Sequence, residues 1–137
     1  MRYMLLINSP ESYYATRTPE QMGELMAAYG QFQQEIEAAG VYRESHRLQP
    51  SVTATTVRVR NGKTATTDGP FAETKEQFGG YYLIEAKDLN EAIQVAARIP
   101  GARLGCVELR PVAEDAQTLA LGLDVPHTAR SPGERRE

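Results

Sequence analysis

The sequence predicts an α+β fold in the ferredoxin-like order strand, helix, strand, strand, helix, strand, with a β-hairpin inserted before the third strand. Three observations carry that expectation. Two stretches, "TPEQMGELMAAYGQFQQEIEAAG" and "DLNEAIQVAARIP", have helical apolar spacing and each opens on a capping motif. Four shorter stretches around them read as strands, and an Asn61-Gly62 pair stands between two runs rich in β-branched residues.

Taken in order, "RYMLLIN" is a short apolar run closed by "SPES", where Pro10 and the serines signal a break, so it reads as a buried strand. In the next segment Thr18 is placed as N-cap, Pro19 in the first helical position and Gln21 as the closing member of a capping box. Met22, Leu25, Met26, Tyr29, Phe32 and Ile36 recur at helical spacing and Gly40 supplies the stop, which puts the helix at about residues 19–39. "VYRESHRLQP" alternates weakly up to Pro50, and "TATTVRVRNGKTATTDG" forms the hairpin. "GGYYLIEA" is a further strand, with Gly79-Gly80 marking a bulge or a close backbone approach at its entry. The second helix starts at Asp88 with Glu91 completing its capping box. It buries Leu89, Ala92, Ile93, Ala96 and Ile99, and ends at Pro100. In the last strand, "LGCVELRPV", Val107 and Leu109 face one way while Cys106, Glu108 and Arg110 face the other.

Both helices then cover one face of the sheet. The opposite face, with Glu108, Arg110 and some of the tyrosines, is too mixed for a core and too apolar for water, which calls for a second copy of the chain over it. The domain is expected to span residues 1–122, followed by a disordered tail over 123–137 that has almost no apolar content.

Composition narrows the function classes. A chain of 137 residues fits one domain burying roughly two thirds of its unfolded surface without staples. Fifteen basic against eighteen acidic residues, net charge -3, provide no positive field for nucleic acid or an anionic membrane. No apolar run approaches the ~20 residues of a membrane span. The single cysteine, Cys106, and the lack of zinc-site spacing fit a reducing, cytoplasmic location with no metal. No Walker loop, dinucleotide fingerprint or serine-histidine-acid signature is present, and no cofactor is expected.

The stretch "TDGPFAETKEQFGG" at 67–80 gathers charged side chains, glycines, a proline and two phenylalanines. With "TATTVRVRNGKTATT" before it and "GCVELRPV" at the end, the chain from 1 to about 112 resembles the DGPF domain, a branch of the YCII-related proteins. The resemblance implies a dimeric α+β barrel in which two ferredoxin-like sheets enclose a pocket. It implies little about activity: most such proteins have none assigned, many are encoded near extracytoplasmic-function sigma factors, and a few relatives are credited with lyase chemistry on chlorinated hydroquinones. The YCII branch is associated with a histidine and aspartate pair. His46 and Asp68 offer the two residue types here, though neither stands in the family's local context.

The candidate residues have two readings each. Asp68 before Gly69-Pro70 either caps a turn or is presented at a pocket mouth as a general base. Phe71 is expected to anchor the loop in the core. Glu73, Lys75 and Glu76 form either a solvated rim or, for Glu73 and Lys75, part of a substrate-binding set in which Lys75 with Arg110 holds an anionic or phenolic substrate. His46 is a hydrogen-bonded edge residue or the partner of Asp68. Glu108 and Arg110 share a strand face, as a dimer salt bridge or as the polar floor of a pocket. The functional expectation is a homodimer binding a small molecule in its barrel cleft with lyase- or isomerase-type acid/base chemistry. The alternative is a non-catalytic ligand-sensing or protein-interaction module tied to sigma-factor regulation.

Overall fold

The structure, a computed structural model, describes residues 1–114. The domain end near 122 and the tail 123–137 lie outside the described residues. The first strand, β1 (Arg2–Ser9), alternates strictly: Tyr3, Leu5, Ile7 and Ser9 are buried under the helices while the even-numbered side chains look the other way. Where the sequence reads only as a break, a five-residue helix α1 (Glu11–Ala15) forms without a side-chain cap. A 3.0 Å hydrogen bond between the Ser9 and Tyr14 hydroxyls ties it to β1.

Helix α2 (Pro19–Ala38) has the expected start: Thr18 accepts from the Gln21 amide at 3.1 Å, and the Gln21 side chain accepts from the Thr18 amide at 2.9 Å. Of its apolar stripe only Phe32 and Ile36 are buried, and Met26 is exposed, so the C-terminal half makes the core contact. Strand β2 (Tyr42–Arg47) is followed by a short 3-10 turn (Ser51–Thr53) and the hairpin β3 (Thr55–Arg60) and β4 (Lys63–Asp68). Asn61 and Gly62 turn it at φ 54° and 75°, the positive values that this two-residue turn requires and glycine tolerates.

Strand β5 (Gln77–Glu85), helix α3 (Leu89–Ala97) and strand β6 (Cys106–Pro111) complete the order. The main sheet runs β2-β5-β1-β6 with every neighbouring pair antiparallel, and the hairpin is a separate two-stranded sheet. This is the ferredoxin-like α+β fold with an inserted hairpin; the sheet is open, with β2 and β6 as its edges. Leu5, Ile36, Ile84 and Ile99 are the fully buried large side chains between sheet and helices.

Two local expectations are corrected. In α3, Asp88 does cap, accepting from the Glu91 amide at 2.9 Å, but the Glu91 carboxylate reaches back to the Lys87 amide at 2.7 Å, one residue beyond the cap. The buried stripe is Ala92, Val95, Ala96 and Ile99, while Leu89 and Ile93 are about half exposed. Two alanines let the helix approach the sheet along their own line, and Leu89 and Ile93 fall on its flank at the 3.6-residue period.

At the entry to β5, Ile7 pairs with Gly80 and Asn8 with Phe78, so Gly79 is the extra residue of a β-bulge. Gly80 is the close approach: a Cβ there would stand 2.9 Å from the His46 carbonyl oxygen. No helix among the described residues is long and apolar enough to cross a membrane.

Candidate functional site

The root of the hairpin is stitched shut by backbone geometry. Gly69, at φ 99°, a value few side-chain-bearing residues adopt, donates its N–H to the Ala54 carbonyl at 2.7 Å, and Thr56 Oγ1 donates to the Gly69 carbonyl at 2.8 Å. The turn is therefore fixed by the backbone on both sides of Gly69, and Asp68 just before it is held exposed at the end of β4. Beyond Pro70 the chain folds on itself, with Thr74 Oγ1 donating to the Glu76 carbonyl and Gln77 Nε2 to the Thr74 carbonyl.

This loop forms one wall of an open cleft of about 530 Å³. Asp68, Glu73 and Lys75 line it together with Gln77, and Glu11 and Ser51 face them from α1 and the 3-10 turn. Glu11 is fully engaged: its two carboxylate oxygens accept from the Ser51 amide and the Ser51 hydroxyl, each at 2.7 Å. That clasp joins two segments 40 residues apart, where β1 runs into α1. Among the described residues Asp68, Glu73 and Lys75 make no salt bridge. Three carboxylates against one ammonium leave the cleft net negative, which opposes the expected preference for a purely anionic ligand.

Phe71 corrects another expectation. It is 81% exposed and does not anchor the loop in the core of the protomer; the loop is held by the hydrogen bonds around Gly69 and Thr74 instead.

The remaining sequence candidates lie elsewhere, on the uncovered sheet face. The strand registers set His46, Tyr81, Leu6 and Glu108 in one row across the sheet, and Glu44, Leu83, Met4 and Arg110 in the next. His46 and Glu108 thus stand at opposite edges of one row, three strand spacings or roughly 14 Å apart. Glu108 and Arg110 pair with each other at 3.1 Å. His46 is not among the cleft residues; its Nε2 lies 3.5 Å from Glu44 Oε2, which accepts a 2.7 Å hydrogen bond from the Tyr81 hydroxyl.

That bond to Glu44 is the main reason the Tyr81 phenol is raised above its ordinary value, with desolvation second. The Cys106 thiol is raised too, by partial desolvation first and then by its 3.4 Å contact with the Glu76 carboxylate. A thiol held protonated is a poor nucleophile. Among the described residues no three His, Cys, Asp or Glu side chains converge as metal ligands.

The sequence reading had no means of finding Glu11, Ser51, Glu44 or Tyr81. Glu11 meets Ser51, 40 residues on, only once the turn after β2 is brought against α1, and the Glu44–Tyr81 pair exists only through the β2–β5 register.

With this fold and loop in view, the chain belongs to the YCII-related family: the YCII-related domain model matches residues 1–115. It is 36% identical over 115 residues to an uncharacterised protein of Rhizobium meliloti (strain 1021), covering 82% of this chain and 93% of that one. Among solved structures it is similar to the 5-chloro-2-hydroxyhydroquinone dehydrochlorinase of Burkholderia phenoliruptrix AC1100 in complex with 2,5-dihydroxybenzoquinone. That similarity has a TM-score of 0.46 and 11% identity, over 85% of this chain and 98% of that one.

Proposed function

We propose that this protein binds a small polar molecule at the Asp68–Gln77 loop and carries out proton-transfer chemistry of the lyase or isomerase type there, as a cytoplasmic homodimer. The observation that carries the reading is the convergence of Asp68, Glu73 and Lys75 on one cleft of about 530 Å³, a size that suits a metabolite. Asp68 is the proton acceptor and Lys75 holds an acidic group of the ligand. The net negative wall favours hydroxyl or amine groups on the rest of it. Two copies pack their uncovered sheet faces together, and His46, Glu108 and Arg110 become walls of the enclosed space. His46 joins the chemistry of Asp68 only through that assembly.

A second reading, a non-catalytic ligand-sensing or interaction module linked to sigma-factor regulation, is favoured by one feature. Asp68 is exposed and the cleft open, whereas proton transfer gains from excluded water.

A thermal-shift screen of a metabolite pool tests both, with Asp68→Asn and Lys75→Met as companions. The expected result is a stabilising compound whose effect is lost in Lys75→Met and whose turnover is lost in Asp68→Asn. Binding without turnover selects the sensing module. A compound that stabilises both variants as well as the natural chain removes the cleft from consideration.

A further inference from the structure

The inserted hairpin has two unlike faces. Cross-strand pairing sets Thr55, Val57 and Val59 beside Asp68, Thr66 and Thr64 on one side, and Thr56, Arg58 and Arg60 beside Thr67, Ala65 and Lys63 on the other. All of the hairpin's basic residues are therefore on one face. The opposite face is β-branched and uncharged until Asp68 at its root.

Neither face is covered within the protomer. Nearly every residue of β3 and β4 is exposed, and Val57 and Val59 are 59% and 57% exposed. A lone two-stranded hairpin is marginal in water without a packed face. Water gives no reason to sort charge so completely; a covered face does.

We propose that this hairpin is a clasp on a second copy of the chain, with Val57 and Val59 inward and Arg58, Arg60 and Lys63 left in water. This rests on the homodimer proposed above and adds the element that holds it. Interface area selects a second copy as the occupant. The uncovered face of the sheet has four strands; at about 4.8 Å between strands and about six residues each, it offers roughly 400 Å². That is about half of the ~800 Å² per partner of a standard stable interface. The hairpin's inner face and the segment it covers on the other copy add roughly 200 Å² each on the same spacing, which brings the whole into that class. Two-fold symmetry applies the clasp twice, each copy giving one hairpin and receiving one.

The test is the monomer–dimer dissociation constant of the full chain by sedimentation equilibrium. Both valines are more than half exposed, so Val57→Asp with Val59→Asp should keep the fold, checked by circular dichroism, and weaken the dimer about tenfold or more. Arg58→Ala with Arg60→Ala, on the solvated face, and Ile93→Asp, on the exposed flank of α3, should each leave it within about threefold. A dimer that resists the valine changes, or that responds to the arginine changes instead, overturns the clasp while leaving the dimer standing. A natural chain that sediments as a monomer at micromolar concentration overturns both.

Discussion

The Tyr81 hydroxyl donates a 2.7 Å hydrogen bond to Glu44 Oε2, and the same oxygen lies 3.5 Å from His46 Nε2. A phenol and an imidazole thus converge on one carboxylate oxygen on the uncovered sheet face, across two adjacent strands. The carboxylate fixes the phenolic proton in place, so its removal has a spectroscopic signature.

Glu44→Gln should lower the Tyr81 ionisation toward the ordinary phenol value, because its hydrogen bond to the carboxylate is the largest cause of the rise. Ultraviolet titration of phenolate absorbance, with Tyr81→Phe as the difference reference, reads the change. An unmoved Tyr81 titration would mean that the hydrogen bond is not populated in solution.

Alkaline pH should destabilise the fold through Tyr29 and Tyr82, both pushed up to about 12 from 10.0 mainly by burial. The sign follows from linkage. The unfolded chain releases these protons near pH 10 and the folded protein holds them to about 12, so the contribution is full below pH 10 and is lost between 10 and 12. Tyr82 makes no side-chain hydrogen bond among the described residues. Tyr82→Phe should therefore change stability little at pH 8 and remove roughly 1–2 kcal/mol of the alkaline loss. Urea midpoints at pH 8 and pH 11 give both values.

Core and loop should respond in opposite ways to truncation. Ile84 is fully buried, and Ile84→Ala should cost about 2–5 kcal/mol. Phe71→Ala removes a side chain that is 81% exposed in the protomer, and its effect on monomer unfolding should stay within about 0.5 kcal/mol. Chemical denaturation under conditions where the chain is monomeric compares them.

Thr18→Ala should cost about 1 kcal/mol, since it removes the acceptor for the Gln21 amide at the start of α2. Thr18→Ser should restore most of it, as a steric role for the threonine methyl would not.

The Glu11–Ser51 clasp should be detectable as local protection. Glu11→Ala leaves the Ser51 amide without its partner, so amide exchange at Ser51 and through the turn to Thr53 should accelerate while α2 keeps its protection. Uniform acceleration across the chain would show that the clasp supports global stability rather than the hairpin root.

What the sequence made legible is what is encoded within a few residues. Thr18 and Gln21 are three apart, Asn61 and Gly62 are adjacent, and both act through local backbone bonds and dihedrals. The order of elements followed from such signals, and with it the sheet. Helix α1 was illegible because it has no cap and is held from outside by Ser9. Phe71 misled because an aromatic residue reads as core wherever it stands, while solvent exposure is decided by partners the local string does not contain. Of the cleft, Asp68, Glu73 and Lys75 were legible since one loop carries them. Glu11 and Ser51 were not, since only the folded chain brings them opposite.

The single extra residue at Gly79 acts as a half-period phase shift. After it, odd-numbered side chains such as Tyr81 and Leu83 belong to the uncovered face; before it, the even-numbered Phe78 shares that face with Asn8 while Gln77 pairs with buried Ser9 and lines the cleft. Parity is thus reset at the boundary between loop and sheet, so that cleft-lining Gln77 and buried Tyr82, one odd and one even, lie on the same side of one continuous strand. Excising Gly79 would close the ladder, with Asn8–Phe78 following directly on Ile7–Gly80 and Gln77 and Phe78 keeping their sides, and would draw the Asp68 loop one residue, roughly 3 Å, toward the sheet.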